Sequence, residues 1–174
     1  VVGTDCAIGK MTVALELRRA AQEAGLSAVF VPTGQTGIMI EGWGVSVDRV
    51  ISDFINGTAE WLVEQAEEMG DWIFVEGQGS IDHPAYSAVT LGLVHGTTPH
   101  AMVLVHQPGR SGHFGWEKAT GARAPGGNSD AGRPRGPDTG RDAADSSSAH
   151  GSALRGARRI ARSCIGPDGT GHVV

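Results

Sequence analysis

The 174-residue sequence lacks the features that mark several classes of protein. It has two cysteines, Cys6 and Cys164, in contexts that give no reason to pair them, so a disulfide framework is excluded and a reducing, cytoplasmic setting is the simpler interpretation. It also has no apolar run near the roughly 20 residues that a membrane-spanning helix requires. We therefore expect no membrane partner.

Basic residues are scarce where the apolar residues are concentrated. Residues 1–110 carry 5 Lys and Arg against 13 Asp and Glu. A chain this acidic is poorly suited to grip a nucleic acid along its phosphates. It can still bind one phosphorylated small molecule, because backbone N–H groups and a single lysine suffice for that.

Apolar segments alternate in a way that predicts an α/β fold. Residues 27–32, 72–75 and 101–105 are continuously apolar, as buried strands are, and helical spacing separates them. One helix follows residue 10 and ends near Gly25, and a short one lies around residues 86–94. We expect a P-loop NTPase-like parallel sheet with helices on both faces. Since only Val1 and Val2 precede the first loop, we expect part of the first strand to lie upstream.

Glycine and polar residues fill the segments between these elements. Residues 33–44 are predicted to form a glycine-rich loop, and Ser46 to cap a helix with Asp48 in its first turn. The apolar face of that helix continues until Gly57 breaks it. The residues of the face are Val47, Val50, Ile51, Phe54 and Ile55.

The last third of the chain differs in composition. Of the 64 residues in 111–174, seven are Val, Ile, Leu, Met, Phe, Trp or Tyr, too few to offset the entropy of an ordered chain. We assign 1–110 to a partial P-loop domain and 111–174 to a poorly structured tail. A regulatory tail and a frameshifted stretch of a GC-rich gene both stay open, and we favour the second.

A glycine-rich loop between a strand and a helix carries the strongest functional signal. Glycine lets the backbone fold tightly around a phosphate, Lys10 reaches its charge, and the helix N-terminus supplies N–H donors. Five residues separate Gly3 from Gly9, one more than usual, and Met11 stands where a Mg²⁺-binding hydroxyl is common. The pattern therefore predicts phosphate binding more strongly than ATP hydrolysis. The alternative is a strand-to-helix turn that binds no phosphate. The predicted cofactor-binding residues are Gly3, Thr4, Asp5, Cys6, Ala7, Ile8, Gly9, Lys10, Met11 and Thr12.

Further polar residues follow the other predicted strands. Glu76, in the segment WIFVEGQGS, is a candidate general base or Mg²⁺ ligand, or alternatively a structural carboxylate. His83 is the second catalytic candidate. The histidines show no ligand spacing, so no metal site is predicted. The candidate substrate-binding residues are Thr33, Gln35, Thr36, Gln78, Tyr86 and His106.

Four co-linear segments give the sequence a family resemblance. GTDCAIGK is similar to the P-loop of dethiobiotin synthetase, a more distant likeness. The segments GTDCAIGKMT, PTGQTGIMIEGWGVSVDRVISDF, VEGQGS with DHPAYSAVTLGLVHG, and MVLVHQPGR resemble the P-loop domain of the D-glutamate N-acetyltransferase family. The resemblance covers residues 1–110.

The resemblance implies transfer of an acetyl group from acetyl-CoA to the amino group of D-glutamate. The P-loop would then bind coenzyme phosphates, with Glu76 or His83 as base and Gln78 or backbone N–H groups facing the oxyanion. Two alternatives stay open: an ATP- and Mg²⁺-dependent ligase that uses Lys10, Thr12 and Glu76, or a truncated remnant without activity. Association into a homo-oligomer also stays open.

Overall fold

The computed structural model describes residues 1–108 and 112–115. Its strands are β1 (Val2–Gly3), β2 (Ala28–Val31), β3 (Trp72–Val75) and β4 (Leu104–Val105). Its α-helices are α1 (Lys10–Glu23), α2 (Gln35–Glu41), α3 (Ile55–Glu67) and α4 (Ser87–Thr97), and two 3-10 turns (Val47–Arg49 and Ser52–Phe54) precede α3.

The strands form two parallel pairs, β1 with β4 and β2 with β3. The nitrogen of Val1 donates to the carbonyl of Val75 at 2.8 Å, and the nitrogen of Val2 donates to that of Val103 at 2.9 Å. The start of the chain therefore lies between β3 and β4, in the spatial order β2, β3, β1, β4. The predicted parallel arrangement is confirmed.

Side chains of β3 point alternately into two apolar clusters. Phe74 packs with the cluster formed around α1, which contains Ile8, Val13, Leu17 and Val105. Its neighbours Ile73 and Val75 pack with a second cluster, which contains Val31, Val47, Ala59, Leu62, Ala66 and Leu93 and involves α3 and α4. Because successive residues of a strand face opposite sides, helices cover both faces of the sheet, as predicted.

The end of α1 confirms the expected role of Gly25. Gly25 has a φ of 82°, its N–H bonds to the carbonyl of Gln22 at 2.9 Å, and the N–H of Leu26 bonds to that of Ala21 at 3.0 Å. This pair of backbone hydrogen bonds, together with a left-handed glycine, is the Schellman motif. It stops the helix and directs the chain into β2.

The predicted loop over residues 33–44 is wrong, because residues 35–41 form α2. Gly37 is buried, and a Cβ there would lie 2.6 Å from Glu76 Oε2. Gly42 ends the helix with a φ of 78°. The glycines thus serve close packing and a helix end, which composition alone does not distinguish from a loop.

The continuous helix predicted from Ser46 is also wrong. Ser46 holds the N-cap position of the first 3-10 turn and Asp48 lies in that turn, as predicted. The Ser46 side chain makes no capping hydrogen bond, and its hydroxyl donates to the Asp48 carboxylate at 2.5 Å. Val50 is extended (ψ 138°) and separates the two 3-10 turns, which leaves Ile51 and Phe54 70% and 65% exposed while Val47 and Ile55 are buried. The break therefore precedes α3, and Gly57 lies within that helix.

The last two elements differ from expectation in their lengths. The helix predicted around residues 86–94 is α4 and continues to Thr97. The strand predicted over 101–105 pairs only at Leu104 and Val105, since β1 offers two residues to pair with. Within residues 1–108 and 112–115, no helix is both long and apolar enough to cross a membrane.

Candidate functional site

The loop between β1 and α1 adopts a left-handed backbone at two positions. Ala7 has a φ of 53° and Gly9 a φ of 92°, and α1 begins at the next residue, Lys10. A Cβ at Gly3 would lie 2.8 Å from both Ile8 Cδ1 and Lys10 Cδ. Left-handed residues turn successive N–H groups towards one side, which is how a backbone forms a concave anion site.

Lys10 folds back across this loop. Its side chain is buried, and Nζ donates to the carbonyl oxygen of Asp5 at 2.6 Å. The first turn of α1 contains no acidic residue, so no carboxylate there opposes the positive end of the helix dipole. Lys10 therefore places a buried positive charge in the loop, which also contains the buried Asp5 carboxylate.

Glu76 connects the ends of β2 and β3. Its carboxylate is 5% exposed, and Oε2 accepts hydrogen bonds from the N–H groups of Thr33 (2.9 Å) and Gly34 (3.0 Å). The Thr33 hydroxyl donates to the Glu76 carbonyl at 2.7 Å, and the Gln78 amide donates to that hydroxyl at 3.2 Å. The structure thus brings together three predicted site residues and gives Glu76 a structural task. Its catalytic role stays a prediction.

His83 is buried in a separate polar cluster. Its Nδ1 accepts from the N–H of Ala85 at 3.1 Å, and its Nε2 lies 3.0 Å from the carbonyl oxygen of Phe114. These partners assign the proton to Nε2, because one nitrogen faces a donor and the other an acceptor. The ring stacks on Tyr86 with centroids 4.6 Å apart.

The remaining predicted residues are more dispersed. His106 lies across the loop mouth, with Nδ1 3.0 Å from the Thr4 hydroxyl. Gln35 and Thr36 are exposed at the first turn of α2. Met11 and Thr12 are half-buried at the first turn of α1. The substrate-binding and cofactor-binding roles of these residues stay predictions.

The sequence analysis did not predict one contact at this site, between Asp5 and the segment that contains His113 and Phe114. The N–H of Phe114 donates to both oxygens of the Asp5 carboxylate, at 2.8 and 3.1 Å, and His113 Nδ1 lies 3.7 Å from Asp5 Oδ1. His113 and Phe114 belong to the segment predicted to be a tail. Phe114 lies 109 positions after Asp5 in the sequence, and no local pattern indicates that the two residues are in contact. The rest of that predicted tail lies outside the described residues.

The parallel sheet, the helices on both of its faces and the glycine-rich loop ahead of α1 define a P-loop α/β domain. Residues 1–120 match a family described as a domain of unknown function, the DUF1611_C P-loop domain. The chain belongs to this family.

Similar proteins carry a more specific name. The chain is 50% identical over 110 residues to a D-glutamate N-acetyltransferase of Pseudoalteromonas sp. and 47% identical over 110 residues to one of Tritonibacter scottomollicae. Each alignment covers 63% of this chain and 33% of the relative. The chain therefore spans about a third of the length of the curated relatives it matches.

A solved structure supports the same relationship. The crystal structure of a DUF1611 family protein from Anabaena variabilis matches with a TM-score of 0.62 and 46% sequence identity. The match covers 65% of this chain and 33% of that one. The predicted resemblance to the P-loop domain of this family is confirmed, and the family match extends to residue 120.

Proposed function

We propose that this domain is the coenzyme-binding part of a D-glutamate N-acetyltransferase, and that its P-loop binds the phosphates of acetyl-CoA. The names of two relatives, 50% and 47% identical over 110 residues, support the activity. The observation that carries the coenzyme assignment is the loop from Gly3 to Lys10, with its left-handed positions and buried lysine.

The residues present fit a coenzyme phosphate better than a phosphoryl-transfer substrate. Backbone N–H groups at a helix N-terminus and one ammonium group bind a phosphate without breaking it. Met11 occupies the position where a hydroxyl commonly holds Mg²⁺. A loop that only holds phosphate does not need that hydroxyl.

Acetyl-CoA would supply the thioester, and the chain would contribute a proton acceptor and oxyanion donors. Transfer of the acetyl group would require a base that removes a proton from the substrate amine and hydrogen-bond donors that face the carbonyl oxygen of the thioester. We propose Glu76 or His83 as the acceptor of that proton; backbone groups hydrogen-bond to Glu76 Oε2 and to both ring nitrogens of His83. Gln78, whose amide lies beside Thr33, is the proposed oxyanion donor.

Calorimetry on this chain tests the proposal. We expect acetyl-CoA to bind in the absence of divalent metal, and ATP with Mg²⁺ to bind more weakly. ATP binding that depends on Mg²⁺, without binding of acetyl-CoA, would instead indicate a ligase of the dethiobiotin synthetase type. A folded chain that binds neither compound would refute the coenzyme assignment.

A further inference from the structure

Three groups that can ligate a metal ion converge beside the P-loop. An oxygen of Asp5, the sulfur of Cys6 and a ring nitrogen of His83 all lie within 4.8 Å of one another. Asp5 and His83 are each 2% exposed, and Cys6 is half-buried. In a tetrahedral site with bonds of roughly 2.0–2.3 Å, ligand atoms lie roughly 3.3–3.8 Å apart. Separations of at most 4.8 Å therefore need to shorten by up to about 1.0–1.5 Å to close on an ion.

One peptide group positions two of these candidate ligands. The N–H of Phe114 donates to the Asp5 carboxylate at 2.8 Å, and the carbonyl of Phe114 faces His83 Nε2 at 3.0 Å. Metal-ligating histidines usually donate their second N–H to a backbone carbonyl or a carboxylate, and ligating carboxylates are themselves hydrogen-bonded. The Phe114 peptide supplies both kinds of support.

A second histidine lies next to the cluster. His113 Nδ1 is 3.7 Å from Asp5 Oδ1, and its ring centroid is 5.5 Å from that of His83. Its side chain is 9% exposed, and its Nε2 lies 3.5 Å from Asp82 Oδ2. His113 lies outside the group whose ligand atoms are within 4.8 Å of one another, so its ring must move further than the other three to serve as a fourth ligand.

We propose that Asp5, Cys6 and His83, with His113 as fourth ligand, bind a transition-metal ion of the Zn²⁺ class. Sulfur and imidazole nitrogen favour Zn²⁺ over Mg²⁺ and Ca²⁺, which prefer oxygen ligands. The Asp5 carboxylate and the Cys6 thiolate together balance the two charges of the ion, which matters because Lys10 also lies against the Asp5 backbone. This site goes beyond the proposed acetyl transfer.

Binding of the ion changes the protonation of the cluster. The Cys6 thiol releases its proton to solvent as the sulfur–metal bond forms, and His83 Nδ1 exchanges the N–H of Ala85 for the metal while Nε2–H keeps the Phe114 carbonyl. The ion would then tie the P-loop to the segment that carries His113. Sequence spacing gave no hint of this site because its ligands come from three separate segments.

Titration of the chain with Co²⁺ tests the site, because a cobalt–thiolate bond absorbs in the near ultraviolet. We expect a saturable charge-transfer band at one Co²⁺ per chain, which Zn²⁺ bleaches by competition. Cys6→Ser should abolish the band, and Cys164→Ser should retain it. His83→Gln should weaken Co²⁺ binding at least about tenfold, whereas His95→Gln, at an exposed position of α4, should leave it unchanged.

Two results would overturn the proposal: no charge-transfer band for the folded wild-type chain, or a band that survives Cys6→Ser. Circular dichroism of each variant confirms folding, and Cys6→Ser decides the matter if His83→Gln fails to fold. Lys10→Ala separates this site from the coenzyme site. It should weaken acetyl-CoA binding about 10- to 150-fold and keep the cobalt band, so either proposal can fail while the other stands.

Discussion

The buried side chain of Glu76 can be a proton acceptor, a structural hydrogen-bond acceptor, or both. Its position after an apolar strand suggests chemistry, yet its Oε2 accepts two backbone hydrogen bonds that hold the start of α2 against the end of β3. A carboxylate in this position organises the segment that carries Thr33 and Gln78 whether or not it also accepts a proton. The two tasks make different demands, because hydrogen bonding needs an oxygen and proton transfer needs a carboxylate.

Substitution of Glu76 separates these tasks. Glu76→Ala should lower the free energy of unfolding by about 2–4 kcal/mol, since two buried N–H groups lose their acceptor. Glu76→Gln keeps an oxygen for those N–H groups and should cost about 1 kcal/mol. Urea denaturation of the three proteins measures both effects. An alanine variant as stable as the wild type would show that the two hydrogen bonds contribute little.

At the scale of elements, two exposed glycines differ in the backbone that each requires. Gly25 closes α1 with a φ of 82°, whereas Gly57 lies within α3. A Cβ at either position would meet nothing within 4 Å. Substitution by alanine therefore tests backbone conformation alone, free of steric contacts.

The two alanine variants should change stability in opposite directions. Gly25→Ala should lower the free energy of unfolding by about 1–2 kcal/mol, because an L-residue resists the left-handed conformation. Gly57→Ala should raise it by about 0.5–1 kcal/mol, because alanine favours a helix interior. Thermal denaturation monitored by circular dichroism compares them. Shifts of the same sign would mean that one of the two helix boundaries is misplaced.

The sequence predicted the elements whose burial leaves a local pattern of apolar residues, and it missed the others. Continuous apolar runs identified β2 and β3, and helical spacing identified α1 and α4, because burial follows directly from these patterns. The helix α2 was missed because Gly37 is there to let Glu76 approach, a tertiary contact that leaves no local signal. The turns before α3 were missed because Ile51 and Phe54 are apolar yet exposed.

At the scale of the whole molecule, the sequence predicts the parts of the site whose residues are close together in the chain. The P-loop is a contiguous motif, and polar residues that follow parallel strands are expected at one edge of the sheet, where Thr33 contacts Glu76 and Thr4 contacts His106. The contact of Phe114 with Asp5 joins residues 109 positions apart. Neither periodicity nor motif spacing reports such a pairing.

The account as a whole depends on one electrostatic feature. The region up to residue 110 is strongly acidic, yet the first turn of α1 is free of carboxylates and Lys10 lies against the loop. Binding of an anionic coenzyme to so acidic a domain requires that this local field prevail over the overall charge. Because the chain spans about a third of its relatives' length, the central test concerns coenzyme binding, the part of the proposed activity that we assign to this domain.

The affinity of Lys10→Ala for acetyl-CoA tests that feature most directly. A hydrogen bond to a charged group contributes about 1.5–3 kcal/mol, so we predict binding about 10- to 150-fold weaker than wild type. Arg49→Ala removes the same charge from an exposed position outside the loop and should bind as the wild type does. Equal affinities of the Lys10→Ala and wild-type proteins, both folded by circular dichroism, would contradict phosphate binding by this loop.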